Sequence, residues 1–305
     1  GWGGYEVLGN GDRIRLQPGV IGSHANSALS SFGRKIGPDP ASINACKIGG
    51  IVANNASGMC CGTSQNSYQT LNAMRLVLAD GQVLDSEDSA SVASFTKSHG
   101  ELLGQLAQLG RETRANSALA ELIRHKYRMK NTTGLSLNAL IDFDDPLDIL
   151  THLMVGSEGT LGFISSVTYD TVIEHPFKAT ALIVFGSVEE CCRAVVELKR
   201  LPVDAVELLD RRSIRSVEKQ PGLPDWVKNL SEKACALLVE TRAASQSLLH
   251  EQLTQIRMAL TPFHVEQQVD FTEDTAVSDQ LWAIRKGTFP AVGAVRPVGT
   301  TVIIE

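Results

Sequence analysis

Short runs that alternate apolar and polar residues open the chain and predict a β-hairpin. Residues 5–8 and 13–16 each alternate, and the Asn-Gly step between them supplies the positive φ that a tight turn needs. The same alternation over residues 71–84 predicts a second hairpin. Between the two, residues 23–32 are predicted to form a short helix capped by Gly33.

Apolar residues spaced by three or four positions predict one long helix over residues 102–126. Another helix is predicted to begin at Asp145-Pro146, because Asp is a good N-cap and Pro is tolerated at the first helical position. Residues 153–172 alternate around the glycine-rich segment 156–162, and are predicted to form a strand, a turn and a strand.

From about residue 175 the pattern changes to short strands that alternate with amphipathic helices. Strands are predicted at 179–185, 205–209, 234–240 and 265–271, and helices at 188–200, 211–218, 246–260 and 279–286. Such an alternation builds a compact α+β unit, so we place a domain boundary near residue 175. A chain of 305 residues also has the length of two domains of about 150 residues each.

Composition and charge exclude several classes of protein. The net charge is −6 and no basic tract is present, which disfavours nucleic-acid partners, since phosphate neutralisation needs clustered Lys and Arg. No apolar run approaches the roughly 20 residues of a transmembrane segment. The six cysteines include two adjacent pairs and no C-x-x-C motif, and this pattern indicates reduced thiols in a cytoplasmic protein.

Several motifs that would indicate other activities are incomplete or absent. Asp142, Asp144, Asp145 and Asp148 lack the glycine turn and the distal Glu of a calcium loop, so capping and solvation explain them better. Residues 216–219 match S-x-x-K without the partner motifs of that family, and neither G-x-S-x-G nor H-E-x-x-H occurs.

Four segments could carry chemistry. Residues 37–58 are rich in Gly, Ala and Asn, so backbone amides could approach a ligand closely, although a merely tight loop has the same composition. Residues 156–162 suggest close approach to something planar, or a structural hairpin. Residues 128–134 and 282–288 place cations beside glycines, which suits the capture of a carboxylate or phosphate, or else these are solvated cations at helix ends.

These segments together resemble a known family. The three that carry the resemblance are 48–58 (IGGIVANNASG), 77–81 (VLADG) and 155–162 (VGSEGTLG). In this order and spacing they resemble the FAD-binding domain of the vanillyl-alcohol oxidase or PCMH type. Within it the chain is similar to the D-2-hydroxyacid dehydrogenases, which include D-lactate and D-2-hydroxyglutarate dehydrogenases. The large bacterial members are most similar at 37–46 (GPDPASINAC), 59–62 (MCCG) and 130–134 (KNTTG).

The resemblance implies an α+β fold in two parts. Residues 1–175 would be the second lobe of a PCMH-type FAD-binding domain, and residues 176–305 a ferredoxin-like substrate cap domain. The family's first lobe is expected before Tyr5. The His-rich segment with the catalytic base and any metal ligands is expected after Glu305, and the large bacterial members carry an iron–sulfur cluster beyond that. We therefore expect a fragment truncated at both ends, inactive alone, that holds FAD only weakly.

The resemblance also implies the residues of the site. Those expected to contact FAD are Pro40, Ala41, Ser42, Gly49, Gly50, Asn54, Asn55, Ala56, Gly58, Gly62, Glu158, Gly159, Gly162 and Ile164. Arg285 matches the arginine that holds the substrate carboxylate, with Lys286 and Arg296 as further candidates. No catalytic residue or metal ligand is expected within the chain.

The implied activity is FAD-dependent oxidation of a small D-2-hydroxy acid, D-lactate or D-2-hydroxyglutarate, to the 2-keto acid. The expected location is the cytoplasm or the inner face of the membrane, and the sequence leaves the electron acceptor and the oligomeric state undefined. Two alternatives stay open: another flavin-dependent alcohol oxidase of the same superfamily, and a non-catalytic interaction module.

Overall fold

The computed structural model describes residues 1–132, 134–218, 225–295 and 299. The chain divides into two compact units, Gly1–Glu174 and His175–Glu305. Within the described ranges no helix is both long and apolar enough to cross a membrane.

The first unit is a mixed α and β structure. Its strands are β1 (Tyr5–Leu8), β2 (Arg13–Leu16), β3 (Arg34–Ile36), β4 (Leu71–Val77), β5 (Val83–Asp85) and β6 (Phe163–Ile173). Its α-helices are α1 (Gly22–Leu29), α2 (Ile48–Asn54), α3 (Ser67–Thr70), α4 (Ser89–Ser98), α5 (Gly100–Ala115), α6 (Ser117–Lys126), α7 (Ala139–Asp142) and α8 (Pro146–Met154).

Both predicted hairpins of this unit are confirmed. Strands β1 and β2 pair antiparallel, and the turn between them places Asn10 and Gly11 at positive φ. Strands β4 and β5 pair antiparallel around Gly81, which also has a positive φ. The sheet order is β1-β2-β6-β4-β5, with β3 also paired to β6, so the long strand β6 joins the two hairpins.

The small-residue stretch 37–58 contributes a helix to the main core. Helix α2 forms inside it, and its Ile48, Ile51 and Val52 side chains are buried in the main core. Three apolar residues on one face suffice to anchor a helix of seven residues whose other positions are Gly, Ala and Asn.

Two element predictions need correction. The long helix over 102–126 is divided at Asn116, whose side chain accepts a hydrogen bond from the Leu119 amide and caps the second helix. The expected strand before the glycine-rich segment 156–162 is the end of α8, and the strand begins only at Phe163. Short apolar runs do not distinguish a buried helix from a strand by periodicity alone.

The second unit is an α+β structure, as expected. Its strands are β7 (Phe177–Phe185), β8 (Ala205–Asp210) and β9 (Cys235–Ala243), and its α-helices are α9 (Val188–Leu198), α10 (Arg211–Val217), α11 (Gln246–Leu260) and α12 (Thr275–Val295). The sheet order is β7-β9-β8 and all pairs are antiparallel. Helices α9 and α11 pack on one face, around Ile183, Cys191 and Leu237.

The fourth predicted strand of this unit, 265–271, does not form a regular ladder. Its segment is attached to the free edge of β7 by two isolated bridges, Phe185–Val265 and Thr180–Thr272. This places the four segments in the ferredoxin-like order, with the irregular one at the edge. The candidate residue Arg296 lies outside the described residues.

Candidate functional site

Two glycine-rich segments that lie a hundred residues apart in sequence are hydrogen-bonded to each other in the first unit. The Gly156 amide donates to the Val52 carbonyl at 3.0 Å, and the Glu158 amide donates to the Ala53 carbonyl at 2.8 Å. The Asn54 side chain donates through Nδ2 to Glu158 Oε1 at 2.7 Å. The end of α2 and the turn 156–162 therefore form one continuous piece of surface.

The backbone of this surface is conformationally unusual. Asn55, which ends α2, and Glu158 both have positive φ, at 50° and 52°. The left-handed region costs a residue with a Cβ roughly 1–2 kcal/mol, and such strain is concentrated at functional sites. Beside Glu158, the Ser157 hydroxyl is buried and has no hydrogen-bond partner among the described residues.

The glycines of the two segments fall into two groups. A Cβ at Gly49, Gly58 or Gly162 would collide with the unit's own atoms: Pro18, the Asp39 carbonyl oxygen and the Val77 carbonyl oxygen respectively. By contrast, a Cβ at Gly50, Gly62 or Gly159 would have no atom within 4 Å. At the first three positions packing leaves no room for a Cβ, whereas at the other three the bare backbone faces open space.

The loop at Pro40 is tied to the same region through Asp39. The Asp39 carboxylate accepts hydrogen bonds from the amides of Cys60 and Cys61, at 3.0 and 3.2 Å. Pro40 is buried, and the residues after it are exposed. We use the name glycine surface for the exposed or partly exposed residues of these segments: Ala41, Ser42, Gly50, Asn54, Gly62, Glu158 and Gly159.

Three expected site residues turn their side chains to the unit's own interior. Asn55 is buried and accepts a long hydrogen bond of 3.4 Å from the Tyr68 amide. Ala56 packs against the main core, and Ile164 is buried within it. Their side chains serve packing, so they are structural supports of the glycine surface.

Cys61, beside the glycine surface, is not a reactive thiol. Burial, followed by the nearby Asp39 carboxylate, raises the pKa of Cys61 to about 12. A thiol with such a pKa stays protonated at neutral pH and is a poor nucleophile or metal ligand.

The segment after residue 133 also lies against the turn. A Cβ at Gly156 would be 3.0 Å from the Gly134 carbonyl oxygen, and Ser136 Oγ donates to the Val155 carbonyl at 2.6 Å. Of the acidic cluster, Asp145 caps α8 and Asp144 pairs with Arg114 at 3.0 Å. Across the described ranges no group of three His, Cys, Asp or Glu is arranged to bind a metal ion.

In the second unit, Arg285 lies on α12 and its guanidinium is paired with Glu207 of β8. Nε and Nη2 of Arg285 lie 2.8 and 2.7 Å from Glu207 Oε2. Lys286 is exposed. Both residues lie in the middle of α12, so neither is a helix-end cation; Lys286 is solvated, whereas Arg285 is ion-paired.

Sequence reasoning missed a buried carboxylate beside Trp282, one helical turn before Arg285. Glu240 of β9 is 1% exposed and accepts hydrogen bonds from Trp282 Nε1, from Thr180 Oγ1 at 2.9 Å and from Arg242 Nε at 2.8 Å. Burial alone would raise the pKa of Glu240, but the Arg242 cation and these donors outweigh it and lower that pKa. The sequence carried one signal for this buried carboxylate: Glu240 directly follows the apolar residues 235–239 within β9.

Comparison with protein-family models gives two matches. Residues 4–87 match the FAD binding domain, and residues 174–305 match the C-terminal domain of FAD linked oxidases. The first range contains Ala41, Gly50 and Gly62 of the glycine surface, and the second contains Glu207, Glu240 and Arg285.

Curated relatives agree with these matches at low identity. The glycolate oxidase subunit GlcD of Escherichia coli (strain K12) is 26% identical over 302 residues, which cover 94% of this chain and 46% of the relative. The D-2-hydroxyglutarate dehydrogenase of Pantoea ananatis (strain AJ13355) is 26% identical over 84% of this chain and 26% of its own length. The mitochondrial D-lactate dehydrogenase (cytochrome) of Arabidopsis thaliana is 31% identical over 51% of this chain and 26% of its own length.

The chain spans about half the length, or less, of these curated relatives. Among solved structures, an alkyldihydroxyacetonephosphate synthase shares the fold, with a TM-score of 0.57 and 14% identity over 94% of this chain and 45% of that one. The chain therefore belongs to the family of FAD-linked oxidases, with its FAD-binding domain in the first unit and the family's C-terminal domain in the second.

Proposed function

We propose that the natural protein oxidises a D-2-hydroxy acid to the 2-keto acid, with FAD bound at the glycine surface of the first unit. The observation that supports the flavin site best is the hydrogen-bonded union of α2 with the turn 156–162. It brings two strained, glycine-rich stretches into one surface. A flat aromatic ring system and a pyrophosphate both need close approach to backbone, which bare glycines allow.

The residues present fit FAD on three counts. The Cβ positions of Gly50, Gly62 and Gly159 are open, so a ligand can contact the backbone there. Ser157 offers a buried hydroxyl without a partner among the described residues. Asn54 is partly exposed and carries an amide carbonyl that can accept a hydrogen bond from a ring edge.

The substrate class is argued from the second unit and from the relatives. Glycolate, D-lactate and D-2-hydroxyglutarate, named in the relatives, all carry a carboxylate next to a hydroxyl-bearing carbon. Arg285 is a half-buried guanidinium suited to such a carboxylate, because its planar fork can donate two parallel charge-assisted hydrogen bonds. Lys286 beside it adds an exposed cation.

The reaction divides into binding, proton removal and hydride removal. Bound FAD supplies the acceptor for the hydride that leaves C2 of the acid. Arg285 holds the carboxylate, which fixes the orientation of C2. Proton removal from the hydroxyl needs a base, and we assign that role to no residue of this chain.

The test adds candidate substrates to the FAD-loaded natural protein in the absence of oxygen and follows flavin reduction by absorbance. We expect D-lactate, D-2-hydroxyglutarate or glycolate to bleach the flavin absorbance, and L-lactate, a sugar alcohol and an aryl alcohol to leave it unchanged. Bleaching by the alcohols alone would support the alternative activity, that of a flavin-dependent alcohol oxidase of the same superfamily. A protein that binds no flavin at all would support the interaction module and overturn the proposal.

A substitution tests the substrate site separately. Arg285→Ala should lower kcat/KM for the best acid by roughly 30-fold to several thousand-fold, since truncating one partner of such a charge pair costs about 2–5 kcal/mol. Arg285→Lys should recover only part of this loss, because the fork is gone. Flavin content should be unchanged in both variants. Near-normal kcat/KM in Arg285→Ala would contradict the carboxylate-binding role.

A further inference from the structure

The guanidinium of Arg285 is engaged by a carboxylate of its own unit. Glu207 Oε2 accepts a hydrogen bond from Nε of Arg285 at 2.8 Å and lies 2.7 Å from Nη2 in the same ion pair. The Glu207 side chain is 19% exposed and that of Arg285 is 31% exposed. A pair that is partly shielded from water and joined by two contacts restrains the guanidinium far more than an exposed pair does.

Glu207 uses only one edge of the guanidinium. The side edge, made by Nε and Nη2, faces Glu207. The group has five N–H donors in one plane, so the end edge made by Nη1 and Nη2 can still receive a second carboxylate. Within the described parts of the chain, Nη1 of Arg285 has no hydrogen-bond acceptor.

The helix that carries Arg285 is held at two further points. Trp282, one turn before Arg285, donates its indole N–H to Glu240 of β9. Ser278, one turn earlier again, is hydrogen-bonded to Thr180 of β7 at 2.7 Å. Residues spaced by three or four positions lie on one face of a helix. Together with Glu207 on β8, these contacts fix the rotation of α12 on the sheet.

We propose that Glu207 is the positioning residue for Arg285. It holds the guanidinium by the side edge so that the end edge receives the carboxylate of the 2-hydroxy acid. The inference rests on the proposed function, because it takes Arg285 as the carboxylate-binding residue. Glu207 also cancels part of the positive charge that attracts the incoming anion. Its orienting effect therefore strengthens carboxylate binding, whereas its negative charge weakens it.

Two substitutions separate these effects in the FAD-loaded natural protein. Glu207→Ala removes both the orientation and the charge, and should lower kcat/KM and weaken competitive inhibition by oxalate about 10-fold to 100-fold, as a misplaced binding group does. Glu207→Gln keeps an acceptor oxygen for Nε but removes the charge. It should bind oxalate at least as tightly as the unchanged protein.

The control is Glu197→Ala, which breaks the exposed pair between Glu197 of α9 and Arg200 beyond the end of that helix. It should change neither kcat/KM nor the inhibition constant of oxalate. Thermal unfolding and flavin content of each variant establish that it is folded and loaded. The double variant Glu207→Ala, Arg285→Ala should be no weaker than Arg285→Ala alone, because Glu207 acts through Arg285.

The outcomes are distinct. If Glu207→Ala binds oxalate as well as the unchanged protein, or more tightly, the positioning role is wrong. The same holds if Glu207→Gln loses as much as Glu207→Ala. If Arg285→Ala itself keeps normal kcat/KM, the proposed substrate site fails, and the positioning role fails with it.

Discussion

At the scale of single residues, the two groups of glycines carry different constraints. Gly58 packs so closely on the Asp39 carbonyl that a methyl group cannot fit, whereas Gly50 lies in α2 with open space around its Cβ position. Both positions belong to the same segment and look alike in sequence. Only Gly50 is free of packing constraints, so a requirement for glycine there would come from a ligand.

Alanine at these two positions should therefore act in opposite ways. Gly58→Ala should destabilise the first unit by about 1–3 kcal/mol through overpacking. Gly50→Ala should stabilise the apo protein by up to about 1 kcal/mol, the difference in helix propensity, yet weaken FAD binding. Urea unfolding of the apo protein and FAD titration measure the two effects. Unchanged FAD affinity in Gly50→Ala, and equally in Gly50→Val, would show that the flavin does not contact this backbone.

At the scale of elements, helix α8 matters because it leads directly into the turn 156–162. It is attached to the rest of the unit by His152, whose ring lies 5.0 Å from the Tyr68 ring and 4.0 Å from the Phe143 ring. Nδ1–H of His152 donates to the Asp148 carbonyl at 2.8 Å. Burial lowers the pKa of His152, and the nearby Asp148 and Asp142 only partly offset this effect.

This shift predicts how the first unit responds to acid. Because the pKa of His152 is lower in the folded chain than its unfolded value of about 6.5, the unfolded state takes up the proton first as pH falls. The stability contributed by the neutral ring is complete above that value and is lost as pH falls below it. Urea unfolding between about pH 7.5 and about pH 5.5 should show this decline.

Two variants serve as the test and its control. His152→Gln should be less stable at neutral pH, because the ring contacts are lost, but its stability should depend less on pH over this range. His250→Gln, at an exposed position on α11, should keep the full pH dependence. An unchanged pH dependence in His152→Gln would assign the acid sensitivity to another group.

At the scale of the whole molecule, the glycine surface lies entirely in the first unit, and Arg285 lies in the second. FAD at about 100 times its dissociation constant adds about 2.7 kcal/mol to the unit that binds it. For a unit of this size, that is a rise in the unfolding midpoint of roughly 5–10 °C.

Calorimetry of the apo and FAD-loaded natural protein should place the larger shift in the transition of the first unit. Glu240→Ala identifies the other transition, because it removes the buried carboxylate that accepts from Trp282 and Thr180 and should lower the midpoint of the second unit. If FAD shifted mainly the transition that responds to Glu240→Ala, the flavin site would have to be sought in the second unit.

The sequence by itself determined the hairpins and most of the second unit, since these features depend on local patterns. Apolar alternation and the turn residues Asn10, Gly11 and Gly81 specify the two hairpins without reference to distant parts of the chain. The order of glycine-rich motifs likewise pointed to the flavin-binding family before any geometry was known. For the hairpins, the deciding interactions lie within a few residues along the chain.

Only the tertiary structure decided which residues meet and what each glycine is for. The bonds from Gly156 and Glu158 to the end of α2 join segments about a hundred residues apart, and no local pattern encodes them. The same holds for Glu207 beside Arg285 and for Glu240 beside Trp282. A polar side chain in an apolar strand is only an anomaly in the sequence. Its partner is set by the tertiary structure, which brings separate strands and a helix together. A charge that is buried there must be paired.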